Sequence, residues 1–191
     1  EEYFNHFEKD DLSFVEERHR LILNINYYLF KNDLSNLANA YYEYFKISNN
    51  HDDLMKAVQA KLQINQYHEA EFYLSLVEPM TLERPEYYYM FQVVILKEKH
   101  QLLKAFEVLS ETLEIIEIDL ESPFHQFYVA FNMNNGKTDE AVIYMNEYYT
   151  KNPSPYFFKV IQHSENASGE ELIMLLEEAV GGKRDLSLFD R

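Results

Sequence analysis

The sequence of 191 residues contains no cysteine. Disulfide bonds, cysteine-ligated zinc sites, iron–sulfur clusters and thiol nucleophiles are therefore excluded from this chain, since each needs a cysteine sulfur. Glycine occurs only four times, and neither a glycine-rich phosphate loop nor a Gly-x-Ser-x-Gly elbow is present. Phosphate-loop nucleotide chemistry and acyl transfer from such an elbow are disfavoured.

Long hydrophobic runs are also lacking. No stretch of 18 apolar residues occurs, and no basic segment precedes an apolar stretch as in a signal peptide. We therefore predict no membrane insertion and, with the lack of cysteine, a cytoplasmic location. The chain opens at Glu1 without an initiator methionine, so we expect a processed product or a fragment of a longer protein.

Basic residues are few. Lysine and arginine sum to 17 against 33 aspartates and glutamates, a net charge of -16. Such a surface repels phosphate backbones and anionic lipid headgroups, so we predict no direct contact with nucleic acid. Unless the acidic charge is confined to a convex side of the fold away from the binding surface, it steers basic partners in faster than acidic ones. With 47% hydrophobic and 16% aromatic residues, the chain has enough apolar material to fold.

The spacing of turn residues predicts an all-α fold. Only five prolines and four glycines interrupt the chain, and the stretches between them are rich in Leu, Glu, Lys, Ala and Tyr. A capping box from Ser13 to Glu16 predicts the start of the first helix. The predicted helices cover residues 14–31, 34–47, 53–64, 67–77, 86–99, 101–118, 123–134, 138–151, 155–162 and 169–180.

The predicted helices recur in pairs, and a repeat becomes visible when the segments that begin the second helix of each pair are aligned. The aligned anchors are separated by 33, 35, 36 and 31 residues. Since a lone helix pair cannot bury its apolar face, such units stack in arrays of three or more. Most of the tyrosines and phenylalanines fall inside the helices, where we expect inter-repeat packing. The anchors are Leu37, Ala70, Ala105, Ala141 and Leu172.

The pattern resembles the tetratricopeptide repeat, a family of antiparallel helix pairs. The segment 135–141, with Gly136 in the turn and Ala141 as the small residue, is followed by Tyr148 and by Pro153 after the helix. The segment 65–70 is similar. The resemblance implies an α-α superhelix, or solenoid, of about five antiparallel helix pairs. We predict one such domain over 1–182 and a flexible tail over 183–191.

The metal and catalytic candidates are weak. Glu16-x-x-His19 is one Glu-x-x-His on a helix, whereas di-iron bundles need two such motifs and two further glutamates. After His68-Glu69, Phe72 stands where a zinc-protease helix would have its second histidine. We predict no catalytic residue, no metal site and no cofactor.

In a solenoid of this kind, the first helix of each unit lines a concave groove. Counting back 15, 11 and 8 residues from the anchors gives a mostly apolar surface with methionines and amides, suited to an extended or helical peptide. The alternative is that these residues pack between helices. The candidate peptide-binding residues are Ile22, Asn26, Leu29, Met55, Gln59, Leu62, Met90, Val94, Lys97 and Gln126.

The resulting function hypotheses belong to three classes. The first is a non-enzymatic module that binds a protein or peptide ligand. The second is the C-terminal peptide-sensing domain of a transcriptional regulator of the Gram-positive type, which such repeats resemble in architecture. The third is an enzyme with a carboxylate and a histidine in the groove, disfavoured by the lack of a catalytic constellation. We also expect a homo-oligomer, formed either through the apolar tail residues Leu186, Leu188 and Phe189 or through an open terminal repeat.

Overall fold

The structure, a computed structural model, describes residues 17–119 and 122–151, with the backbone alone for 149–151. All regular elements within these residues are helical, as predicted. A short 3₁₀ turn, Pro79–Thr81, precedes the fifth α-helix. The α-helices, labelled α1 to α8 in chain order, are Glu17–Lys31, Leu34–Ser48, His51–Gln63, Tyr67–Leu74, Glu86–Glu98, Leu102–Ile115, Phe124–Asn134 and Thr138–Lys151.

Three helix boundaries within the described residues differ from the prediction by two residues or more. Helix α6 ends three residues early, at Ile115, and the other two differ for identifiable local reasons. Helix α3 begins two residues early, at His51, because the Asn50 side chain accepts the Asp52 N–H at 2.9 Å and caps the helix. Helix α4 ends three residues early, at Leu74. After Leu74 the backbone hydrogen bonds span three residues instead of four, since the N–H of Leu76 donates to Tyr73 and that of Val77 to Leu74, so the α-helix closes in a tighter turn.

Four turns join first and second helices with the same backbone geometry. At the first turn, the N–H of Asn32 donates to the Leu29 carbonyl at 3.1 Å, and the N–H of Asp33 donates to the Tyr28 carbonyl at 3.0 Å. This pair of bonds is a Schellman motif, which needs a left-handed residue. The same pair of bonds recurs at all four turns. Their left-handed residues are Asn32, Asn65, His100 and Gly136.

The anchor that follows each of these turns is buried. Its N–H donates to the carbonyl four residues earlier, at 2.9 to 3.2 Å. Each anchor therefore sits in the first turn of its helix and faces the interior, so the period read from the sequence is also a period of backbone geometry. The described anchors are Leu37, Ala70, Ala105 and Ala141.

The described residues group into two compact units, which divide between Val108 and Leu109. In the first unit, α1 to α5 pack in sequence, each helix against the next, and α3 also contacts α5. Its core lies among α2 to α5 and is centred on small or branched side chains such as Ala57 and Val58. The ring of Tyr42 stacks on Tyr73 at 4.7 Å and so joins α2 to α4.

In the second unit, α7 packs against α8. The side chain of Phe124 is fully buried. Next to it, the ring of buried His125 stacks on Tyr148 at 4.2 Å and shares a hydrogen bond of 2.7 Å with the Tyr144 hydroxyl. Burial raises the pKa of Tyr144 well above its ordinary value. These aromatic contacts hold the two helices together.

Several predictions fall on residues outside the described ranges. They are the capping box at Ser13, the helices at 155–162 and 169–180, the fifth anchor Leu172 and the tail 183–191. For the residues that are described, adjacent helix packing within each unit agrees with a helical repeat.

Candidate functional site

A cleft of about 420 Å³ opens between α3 and α5 in the first unit. These are the first helices of two successive pairs, which is where the repeat pattern predicts a ligand groove. We call it the α3–α5 cleft and define it by its ten lining residues. They are Asn50, Asp52, Met55, Lys56, Gln59, Leu82, Glu83, Arg84, Tyr87 and Phe91.

The floor of the α3–α5 cleft is apolar. Met55, Leu82 and Phe91 are all buried, and the Tyr87 ring is half-buried beside them. Residues four apart share one face of a helix, so Tyr87 and Phe91 project together from α5 as Met55 and Gln59 do from α3. The amide of Gln59 is thereby held half-buried above an apolar surface. This arrangement can take an apolar side chain and hydrogen-bond a backbone next to it.

One of the two cations in the cleft is bound to a buried carboxylate on its own helix. Lys56 Nζ lies 2.9 Å from Asp53 Oδ1, and the Ser48 hydroxyl donates to the other carboxylate oxygen at 3.3 Å. The Asp53 side chain is 10% exposed. Burial by itself lowers the pKa of Lys56, but the hydrogen bond and charge of Asp53 outweigh burial and raise it. Lys56 therefore remains charged and paired.

The second cation, Arg84, precedes α5. Its Nε donates to Glu86 Oε1 at 3.1 Å, and the Glu86 side chain is 8% exposed. The guanidinium carbon lies 5.2 Å from the centre of the Tyr87 ring. A guanidinium over an aromatic face gains a cation–π attraction. Arg84 therefore fixes the Tyr87 ring as one wall of the cleft.

The carboxylates at the edge of the α3–α5 cleft are placed differently. Asp52 lies in the first turn of α3 and is half-buried, and Glu83 lies in the segment before α5 and is exposed. Among the residues that the structure describes, neither carboxylate forms an ion pair. The two acidic groups of the lining thus have no ion pair, although the charge of Asp52 acts on Lys56, whereas each basic group is paired with a carboxylate of little exposure.

The structure brings two of the ten predicted groove residues, Met55 and Gln59, into this cleft. Leu62 and Met90 are buried, and half-buried Val94 packs against the core. The remaining predicted residues are half-buried or exposed side chains outside the lining. They are Ile22, Asn26 and Leu29 on α1, Lys97 on α5 and Gln126 on α7 in the second unit.

Counting from the anchors missed the aromatic part of the cleft. Tyr87 and Phe91 lie 18 and 14 residues before Ala105, and the count sampled other positions. Leu82 and Arg84 come from the segment that connects α4 to α5. Because this segment is not an α-helix, counting by helical spacing cannot reach its residues. The run of three tyrosines after Pro85 was the one signal in the sequence that could have directed attention to this face.

A second, smaller cavity of about 160 Å³ lies between α4 and α5. Glu71 in its lining forms a two-pronged ion pair with Lys99, at 2.7 and 2.9 Å. Because this pair satisfies the charged group there, the cavity offers less for a ligand than the α3–α5 cleft. Its lining residues are Glu71, Leu74, Ser75, Tyr88, Gln92, Ile95 and Leu96.

Within the described ranges, no group of three histidine, aspartate or glutamate side chains is placed to hold a metal ion. No helix there is long and apolar enough to cross a membrane. Comparison of the chain with protein-family models, with curated proteins and with solved structures finds no match.

Proposed function

We propose that this chain is a non-enzymatic module that binds a protein or peptide, and that the α3–α5 cleft is part of the concave groove of a tetratricopeptide-like solenoid. The observation that carries the proposal is the cleft itself, formed by the first helices of successive pairs. Its buried floor and half-buried Gln59 amide suit a peptide. The lack of cysteine supports a cytoplasmic location.

The cleft is matched to a peptide by its size and by its mixture of groups. A volume of about 420 Å³ falls within the range of small-ligand pockets, roughly 300–1,000 Å³, and holds one or two side chains of a longer ligand. An extended backbone presents N–H and C=O groups, and an amide side chain can satisfy one of each. The peptide-sensing regulator stays the alternative prediction from the sequence.

The test is to fill the α3–α5 cleft without disturbing the core. Phage-displayed random peptides are selected on the immobilised chain, and recovered peptides are measured by fluorescence polarisation. Because Gln59 is half-buried in the lining, Gln59→Trp places a large ring in the cleft, and we expect binding about tenfold weaker or worse.

Gln63→Trp is the matched control, since Gln63 is exposed one turn further along α3 and outside the lining. We expect it to bind as the unmodified chain does. Thermal unfolding of both variants, followed by circular dichroism, verifies that they are folded. If selection recovers no peptide above background, or if both variants bind equally well, the proposal is wrong.

A further inference from the structure

We propose that the α3–α5 cleft selects a peptide segment in which an aliphatic or aromatic side chain is flanked by lysine or arginine, an inference that rests on the peptide-binding function proposed above. The central side chain would occupy the floor formed by Met55, Leu82 and Phe91. The flanking cations would meet Asp52 and Glu83 at the edge.

The first argument for a basic peptide is that Lys56 and Arg84 are already ion-paired within the chain. Each is bound to a carboxylate with little exposure, Asp53 at 2.9 Å and Glu86 at 3.1 Å. Part of the charge of Lys56 and Arg84 is therefore already compensated before a ligand arrives. An acidic ligand would also bring its carboxylate close to Asp53 and Glu86, so the cleft favours acidic peptides less than two unpaired cations would.

The free state of the edge carboxylates is the second argument. Asp52 and Glu83 form no ion pair among the described residues, and they stand on two different elements that border the same cleft. A peptide with a cation on either side of its apolar residue can therefore meet both. Each such contact pairs a carboxylate that has no ion pair of its own with an opposite charge.

The charge of the whole chain acts in the same direction. With a net charge of -16, the chain attracts basic segments over distances up to about a Debye length, roughly 8–10 Å at physiological salt. This attraction speeds association, but it does not distinguish the cleft from other acidic surfaces of the chain. The local preference of the cleft and the general attraction of the chain therefore have to be separated by experiment.

The experiment uses a synthetic library of heptapeptides with Leu or Phe fixed at the centre and Lys, Glu, Ser or Gly in equal amounts at every other position. The whole chain is immobilised, and the retained pool is sequenced by mass spectrometry. We expect lysine to be enriched on both sides of the centre. In the double variant Asp52→Asn, Glu83→Gln, we expect that enrichment to fall about fivefold to tenfold, the effect of losing two partly exposed ion pairs.

The control variant, Glu69→Gln with Glu107→Gln, removes the same charge from exposed positions outside the cleft lining. It should keep the enrichment. Equal losses in the two variants, an unchanged enrichment in the cleft variant, or enrichment of Glu or Ser would overturn the inference while leaving peptide binding intact. Retention of no peptide by the folded chain would overturn both the inference and the proposed function.

Discussion

At the residue scale, equivalent positions in successive repeats carry side chains of different size. Leu37 and Ala70 are the anchors of the first two described pairs, and both are buried. Leu37 packs in a small cluster with Ile25 and Ala40, bordered by partly buried tyrosines, whereas Ala70 lies fully enclosed in the main core of the first unit. The space around each anchor therefore sets its size.

This difference leads to a reciprocal prediction. Leu37→Ala should leave a cavity and lower the free energy of unfolding by about 2–5 kcal/mol. Ala70→Leu should also lower it, by about 1–3 kcal/mol, because the added atoms have no space in a fully buried site. Urea unfolding of both variants measures the two changes. A stabilised Ala70→Leu variant would mean that the two positions have the same surroundings.

At the element scale, the four Schellman turns define where each second helix begins. Three of their left-handed positions are occupied by side-chain-bearing residues, Asn32, Asn65 and His100, and the fourth by Gly136. Asparagine and histidine adopt this conformation more often than most residues, but each bears the steric cost of a Cβ atom that glycine lacks. The turn geometry is therefore kept by the hydrogen bonds even where the residue type is unfavourable.

Substitutions at two of these left-handed positions, His100 and Gly136, test this cost. His100→Gly should raise the free energy of unfolding by about 0.5–1 kcal/mol, because the positive φ of 60° no longer opposes a Cβ atom. Gly136→Ala should lower it by about 1 kcal/mol, and by backbone strain alone, since a Cβ atom there would meet nothing within 4 Å. Urea unfolding of the two variants tests both changes: the midpoint of unfolding should shift while the m-value stays the same. A destabilised His100→Gly variant would show that the imidazole contributes more than the strain costs.

At the scale of the whole molecule, both units contain tyrosines that are buried or half-buried. Burial is the main cause that raises the pKa of six tyrosines, and among them Tyr144 shows the largest rise. A buried phenol resists ionisation because the charged form loses its hydration. The six are Tyr41, Tyr67, Tyr73, Tyr88, Tyr128 and Tyr144.

These shifts predict instability at alkaline pH. Below about pH 10, the phenols are neutral in both the folded and the unfolded chain, and their contribution to stability is complete. Above that pH, the unfolded chain releases protons that the folded chain retains, so the free energy of unfolding falls as pH rises. Urea midpoints across this range, read together with tyrosinate absorbance, should show the loss.

Tyr144→Phe is the variant that tests the origin of this loss. It removes the hydroxyl bonded to His125 and so starts from a lower stability, but its stability should then fall less steeply with pH. An unchanged slope would mean that Tyr144 titrates as an exposed phenol.

The comparison of sequence and structure is most informative at the cleft. Counting from Ala70 reached Gln59, which lines the cleft, because α3 is regular and the turns recur with the same backbone geometry. The same count reached Leu62, which is buried, because residues three apart on a helix point about 60° from one another, and this offset turns Leu62 from the cleft toward the core. Leu82 and Arg84 lay beyond any count, since they follow a 3₁₀ turn.

Within the described residues, the sequence by itself determined the helices to within three residues at their ends, the turns between first and second helices, and the anchors that face the interior. These features depend on interactions within a few residues of the chain, such as the capping of α3 by Asn50 and the left-handed residue at Gly136. The tertiary structure decided which faces of α3 and α5 meet and which charges remain free. Both depend on how each helix is rotated against its neighbour, and on partners such as Asp53 and Glu86 that bind the cations before any ligand can.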